Sequence, residues 1–432
     1  MVGKIAASMK ASASQERAAG QELHHITLGP GPDVEAEWLA AGLVLPNVDA
    51  IRTYRIGRVR RQLIAMGYDG AILRDPMNVR YATDSTNMQV WVMHNPARYA
   101  WVGADGSVIV WEFANCEFLS GHNAIIDEVR PAISSFFFLA GPLYRQRAQA
   151  WTDEILSVIR AHAGIRPRIA VDTARPIEVQ MLIAADIELG DGTEMMEMAR
   201  SIKSDDEIRA MRCSIAACET TMGEMREAMT PGMTERHLWS LLHAGNIRRG
   251  GEWIETQILS SGPRTNPWMQ EASSRVIQNG DMVGYDTDLV GSYGMMCDIS
   301  RTWVAGDAKP TATQRGLHAL AQEQIERNHQ LLIPGGSFRE ICEATWMPPV
   351  DEYRHYSVSC HGVGQCDEYP EIVLPNQWES VGYDGVLEVG MVLTTEAYVG
   401  SRYGGEGVKL EEQYLVTETG PERLSNYPID LR

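Results

Sequence analysis

Acidic side chains set into otherwise apolar, strand-like runs constrain this chain more than any other feature. Asp286 and Asp288 lie in Met282-Val-Gly-Tyr-Asp-Thr-Asp288, and Asp298 lies in Cys297-Asp-Ile-Ser-Arg-Thr302. Glu396 lies in Val392-Leu-Thr-Thr-Glu-Ala397, and Glu411 stands beside Glu412 at the end of Gly407-Val-Lys-Leu-Glu-Glu412. His361 adds an imidazole in His361-Gly-Val-Gly364, after the alternating Tyr356-Ser-Val-Ser359. A charge in such a run needs a partner. Five acids facing one pocket cannot all ionise unless cations neutralise them. Oxygen ligands with a single imidazole suit Mn, Fe or Co, and Zn less exclusively.

Local patterning says how these segments approach one another. A strand over Met282–Asp288 would put Asp286 and Asp288 on one face. A hairpin through the glycine-rich turn Gly291–Gly294 would bring Asp298 opposite them. Glu411 and Glu412 point to opposite faces of the last strand, and alternation with Val408 and Leu410 favours Glu412 as the inward one. The ordinary alternatives are a solvated face for the aspartates and a satisfied core residue for His361.

A chain of 432 residues is too long for one ordinary core, so two domains are expected. The formal charge of -19 argues against a nucleic-acid or anionic-membrane surface. Seven scattered cysteines without a Cys-x-x-Cys pair fit reduced thiols in a cytoplasm. The apolar run Phe136–Ala140 is far too short to span a bilayer. Lys4 and Lys10 stand among small polar residues with no apolar stretch of a secretory signal.

Residues 1–45, rich in Ala, Gly, Pro and Ser, read as a poorly ordered arm or a wrap onto a partner. Ile56, Val59, Leu63 and Met66 recur at helical spacing before Gly67. A strand Gly70–Leu73, an Asp75-Pro76 turn, the run Val79–Tyr81, strands near Tyr99–Val102 and Val108–Trp111, a helix near Thr152–His162 and the run Ile169–Asp172 give an α/β domain over 46–195. Ser204 with Glu207 forms a capping box for a long helix that Pro231-Gly232 ends, and Ser337 with Glu340 forms another. Helices with antiparallel strands make 196–432 an α+β domain.

These motifs resemble those of the pita-bread superfamily of creatinase, aminopeptidase P, prolidase and methionine aminopeptidase. Ile202-Lys-Ser-Asp-Asp-Glu-Ile208 is similar to its domain-opening helix. Asp298-Ile-Ser-Arg-Thr, His361-Gly-Val-Gly, Thr395-Glu396-Ala and Gly407-Val-Lys-Leu-Glu411-Glu resemble its metal motifs in the right order. The resemblance covers roughly residues 55–425, and it implies a creatinase-like N-terminal domain followed by a pita-bread catalytic domain. It also implies that Asp286, Asp288, Asp298, His361, Glu396 and Glu411 ligate a metal pair, with Glu411 rather than Glu412 as the ligand.

The departures carry the functional reading. The slot of the peptidases' first metal aspartate falls on Thr287, with Asp286 and Asp288 to either side. Trp268 stands where peptidases place a histidine near the scissile bond, and Asp367-Glu-Tyr-Pro370 replaces their His-Glu-x-Pro. Metals kept with both substrate-handling histidines lost indicates a changed reaction. One branch resembles this pattern closely: the bacterial dimethylsulfoniopropionate lyases of this fold, which release dimethyl sulfide and acrylate. That resemblance implies iron, with Mn, Co or Zn as alternatives, and a homodimer. Asp367 is then the candidate base, and Trp268, Tyr356 and Trp91 are candidate aromatic contacts for the sulfonium, a cation over such a ring gaining about 0.5–2 kcal/mol. Trp91 would reach a partner's site. Ordinary core packing is the alternative for each aromatic. The competing activity is a dinuclear Xaa-Pro aminopeptidase or prolidase.

Overall fold

The computed structural model describes residues 29–432. The expectations that fall on residues 1–28, including the start of the arm with Lys4 and Lys10, lie outside the described residues. Among the described residues the chain divides into two units, Asn47–Arg200 and Ser201–Arg432, the second joined by the segment that ends at Pro46.

The first unit is built on a six-stranded mixed sheet in the order Glu128–Pro131, Val108–Glu112, Tyr99–Gly103, Gly70–Leu73, Arg168–Val171, Glu188–Asp191. Period-two alternation sorts its strands between two cores. Ala71 and Leu73 pack with Ile56, Val59 and Leu63 of the helix Val48–Met66. Ile72 packs on the other face with Trp151 and Ile155 of the helix Tyr144–His162. The helix Val48–Met66 stops at Gly67, whose φ of 70° suits a residue without Cβ. Val79–Tyr81 is helical, not extended. Asp75 accepts hydrogen bonds from the Met77 and Asn78 amides, and Pro76 opens the helix Pro76–Thr83.

The second unit is antiparallel throughout. Its main sheet runs Asp367–Val373, Val358–Val363, Val392–Ser401, Gly407–Thr417, Gly420–Arg423, with Tyr353–Arg354 added beside Val392–Ser401. Two three-stranded sheets carry the aspartates, Arg301–Val304 with Met282–Tyr285 and Leu259–Ser261, and Met296–Cys297 with Leu289–Val290 and Trp253–Ile254. The Ser204–Glu207 capping box forms and starts the helix Asp205–Ala228, and Ser337–Glu340 does the same for Phe338–Ala344. Residues 29–45, expected as arm, are helical over Pro32–Ala40 and bury Trp38 against Cys213 and Ala217 of that long helix. No described helix is long and apolar enough to cross a membrane. The architecture is α+β: an α/β unit followed by an antiparallel pita-bread unit.

Candidate metal centre

Two long antiparallel strands place the first pair of acids. Their register sets Glu396 directly opposite Glu411 and Tyr398 opposite Lys409. Like charges directly opposite repel, so this register needs positive charge nearby. Both faces of Gly407–Thr417 are buried as far as Tyr414, so hydrophobic alternation cannot rank the two glutamates. Glu411 faces His361, with Oε1 3.4 Å from Nε2. Glu412 turns the other way and pairs with Arg301, also fully buried, at 2.6 Å and with Arg423 at 3.0 Å. The expectation that alternation makes Glu412 the inward residue is therefore corrected.

His361 sits on the strand Val358–Val363. Its Nδ1 lies 3.2 Å from the Gly362 carbonyl. Nε2 lies 3.5 Å from Asp298 Oδ2 and 3.8 Å from Glu396 Oε1. Burial opposes charge on the ring, but Asp367 and the acids around Nε2 outweigh it and favour the protonated form without ions. An ion displacing that proton would find the Nε2 lone pair. Gly362 follows because a Cβ there would meet the Glu368 and Tyr369 carbonyl oxygens at 2.5 Å.

The strand carrying the first aspartates ends at Tyr285, not at Asp288. Asp288 has φ of 37°, a left-handed conformation in which strand periodicity no longer applies. The break, not the alternation, brings both acids inward. Asp286, Asp288 and Asp298 each offer an oxygen within 4.8 Å of the others, and so do Asp298, His361 and Glu411 as a second group sharing Asp298.

Sequence reasoning missed the cation at the centre. Lys409, two residues before Glu411 and therefore on its face, is 2 % exposed. Its Nζ lies 2.8 Å from Asp286 Oδ2 and 2.9 Å from Glu396 Oε2 and Glu411 Oε2. Period two could have shown it, given the pairing of the strands. Ser300 Oγ is 2.6 Å from Asp286 Oδ1 and 2.8 Å from Glu411 Oε2, and Thr256 Oγ1 donates to Asp288 Oδ2 at 2.5 Å.

Burial pushes the Asp288 and Asp298 carboxyls well above the carboxylate range, and neighbouring acids push the same way. Burial raises Asp286 as well, against the opposing charge of Lys409. Glu396 is pushed up to about 8, chiefly by burial. Glu411 is held below its ordinary value because Lys409 and His361 outweigh its burial. Asp298 Oδ1, Glu396 Oε1 and Glu411 Oε1 are buried without a hydrogen-bond partner. Buried oxygens of this kind, facing the imidazole nitrogen of His361, fit a transition-metal ion by donor type.

Asp367 lies at the edge, its side chain 55 % exposed and Oδ1 3.6 Å from His361 Nδ1. Burial against the site raises its carboxyl and Glu411 acts with it, while His361 and Lys409 oppose. Trp268 is 8 % exposed and stacks on Tyr398 at 5.8 Å. Lys409 Nζ stands 5.5 Å from the Trp268 ring centre and 5.7 Å from that of half-buried Tyr356. Trp91 lies in the N-terminal unit against Phe113 and Phe138.

The profile of the metallopeptidase family M24 matches residues 209–418. The chain belongs to the pita-bread superfamily that this family defines. Within it, the chain is 44 % identical over 415 residues to the dimethylsulfoniopropionate lyase DddP of Roseovarius nubinhibens, covering 94 % of this chain and 93 % of that one. It is 41 % identical over 415 residues to the enzyme of the same name from Roseobacter denitrificans, covering 95 % and 93 %. Among solved structures the Xaa-Pro dipeptidase from Bacillus anthracis superposes with a TM-score of 0.70 at 22 % identity, covering 88 % of this chain and 99 % of that one, a likeness of fold.

Proposed function

We propose that this chain is a metal-dependent carbon–sulfur lyase that cleaves dimethylsulfoniopropionate to dimethyl sulfide and acrylate. The near-full-length likeness to two lyases of that name carries the reading. The residues supply a chemistry for it. Asp286, Asp288, Asp298, His361, Glu396 and Glu411 would hold a pair of transition-metal ions, iron by resemblance. When bound, such ions supply Lewis acidity toward a carboxylate and stabilise charge that develops beside it.

Asp367 is the base. Its partial exposure lets substrate reach it, and its raised carboxyl moves its basicity toward the working pH. The Asp367 carboxylate takes the proton from the carbon next to the substrate carboxylate. The electron pair of that C–H bond becomes the new C=C bond. The bond from the β-carbon to sulfur breaks with its pair going to sulfur, so neutral dimethyl sulfide leaves and acrylate remains. Asp367 then returns its proton to water.

An aromatic face suits the sulfonium. Tyr356 is the stronger candidate. Lys409 stands near both rings, but Trp268 is buried with Tyr398 stacked on it, whereas Tyr356 is only half-buried. Trp91 is proposed to serve a partner's site in a homodimer. An apolar patch that includes Phe137, Phe138 and Leu139, which are 63, 73 and 53 % exposed, supports a dimer through the N-terminal unit. A cytoplasmic location is proposed from the seven cysteines, which form no disulfide.

Proton NMR on metal-analysed protein tests the reading. Vinyl signals of acrylate should grow as those of dimethylsulfoniopropionate fade, and an Xaa-Pro dipeptide should stay intact. Peptide cleavage without acrylate would replace the lyase reading by a hydrolase.

A further inference from the structure

We propose that Lys409 is a fixed counter-cation of the metal centre, holding the acid cluster together without ions and limiting how tightly it takes them up. The inference rests on the reading of the cluster as an ion-binding site. An ammonium has three N–H donors, and Lys409 Nζ meets three carboxylate oxygens within 2.9 Å, from Asp286, Glu396 and Glu411. The oxygens it meets on the glutamates are both Oε2, whereas both Oε1 atoms lack a hydrogen-bond partner. Each glutamate is therefore divided, one oxygen on the lysine and the other directed with His361 Nε2 and Asp298 to the space an ion would fill. Lys409 leaves one oxygen of each glutamate open to an ion and offsets the charge of the cluster.

The charge count gives this arrangement a consequence. Asp286, Asp288, Asp298, Glu396 and Glu411 carry five negative charges when ionised. Lys409 reduces the sum to four, the amount two divalent ions balance. The Trp268 and Tyr356 rings, 5.5 and 5.7 Å from Nζ, wall the ammonium on its remaining side. The lysine is 2 % exposed, so it cannot swing out to water to make room for an ion. Without it the cluster would be more negative and would bind cations more tightly, but the ion-free fold would bury five acids with no cation among them except His361.

The test compares wild-type protein with Lys409→Met, each stripped of ions and titrated with Mn²⁺ by calorimetry and by chelator competition. The variant is expected to bind Mn²⁺ on the order of ten-fold more tightly at one position or more. Its ion-free form should melt below wild type, and the rise in Tm on adding Mn²⁺ should be larger than in wild type. Equal or weaker Mn²⁺ binding in a folded variant would overturn the proposal and make Lys409 an orienting group. Wild-type protein that binds no Mn²⁺ would remove the metal reading itself, and the proposal with it. If ion-free Lys409→Met does not fold, Lys409→Gln purified with Mn²⁺ serves. Slower Mn²⁺ release into excess chelator than from wild type supports the proposal, and equal or faster release overturns it.

Discussion

Arg301→Met should destabilise the C-terminal unit by stranding buried acceptors beside the metal centre. The Arg301 guanidinium is fully buried and donates to the carbonyl oxygens of Ser300, Glu411, Tyr427 and Pro428 at 2.6–3.0 Å and to Glu412 Oε1 at 2.6 Å. Methionine fills much of the stem but leaves four carbonyls and a buried carboxylate short of donors. Removing one partner of a buried pair costs about 3–5 kcal/mol. Arg423 at 3.0 Å and the Ser425 hydroxyl still hold Glu412, which favours the lower end, about 3 kcal/mol. At about 2–4 °C per kcal/mol for a unit of this size, the Tm should fall by ~6–12 °C. Because Arg301 also holds the Glu411 carbonyl, ion affinity should fall with it. Arg301→Met combined with Glu412→Leu should recover part of the loss, since replacing both partners is far less harmful than stranding one. Scanning calorimetry of the three proteins, with metal analysis, makes the comparison. A Tm within about 1 °C of wild type for the single variant would refute the reasoning.

Asp367→Asn should lower kcat by about 10²–10⁴-fold, the usual contribution of a positioned base, with metal content unchanged; lost metal would show that Asp367 is a ligand or a brace. Tyr356→Leu should raise KM by about 2–30-fold, corresponding to a cation–π contact of about 0.5–2 kcal/mol, and unchanged kinetics would remove Tyr356 from the site. The ion-free protein should lose stability as pH rises from about 5 to 8. Burial raises the folded carboxyls of Asp288 and Asp298, and Glu396 to about 8 from 4.5, so in that window the folded state holds more protons than the unfolded one. With ions bound the carboxylates stay ionised and the decline should vanish. Calorimetry across that pH range would show otherwise if the two forms ran parallel.

Local chemistry was legible in the sequence, and long-range pairing was not. Capping boxes at Ser204 and Ser337 involve residues three apart, so they read correctly without any knowledge of the fold. The acids were legible as a group because charges in apolar runs need partners. Their individual geometry was not. Glu411 and Glu412 sit on a strand buried on both faces, so only the strand's partners distinguish them. Period two puts Asp286 and Asp288 on one strand face, but the strand stops at Tyr285 and Asp288 itself is left-handed. Lys409 escaped notice because its three acceptors lie on three separate segments that only the pairing of the sheets brings together. Val79–Tyr81 carries β-formers, yet the Asp75 cap and Pro76 commit it to a helix.

The most direct test of the lyase reading is headspace dimethyl sulfide release by ion-stripped protein as metal is added back, with acrylate measured in the same vials. Gas should be absent at the start and rise to a plateau at about two ions per chain, with one acrylate for each dimethyl sulfide. No gas from fully loaded protein, or gas that a chelator leaves unchanged, would contradict a metal-dependent lyase.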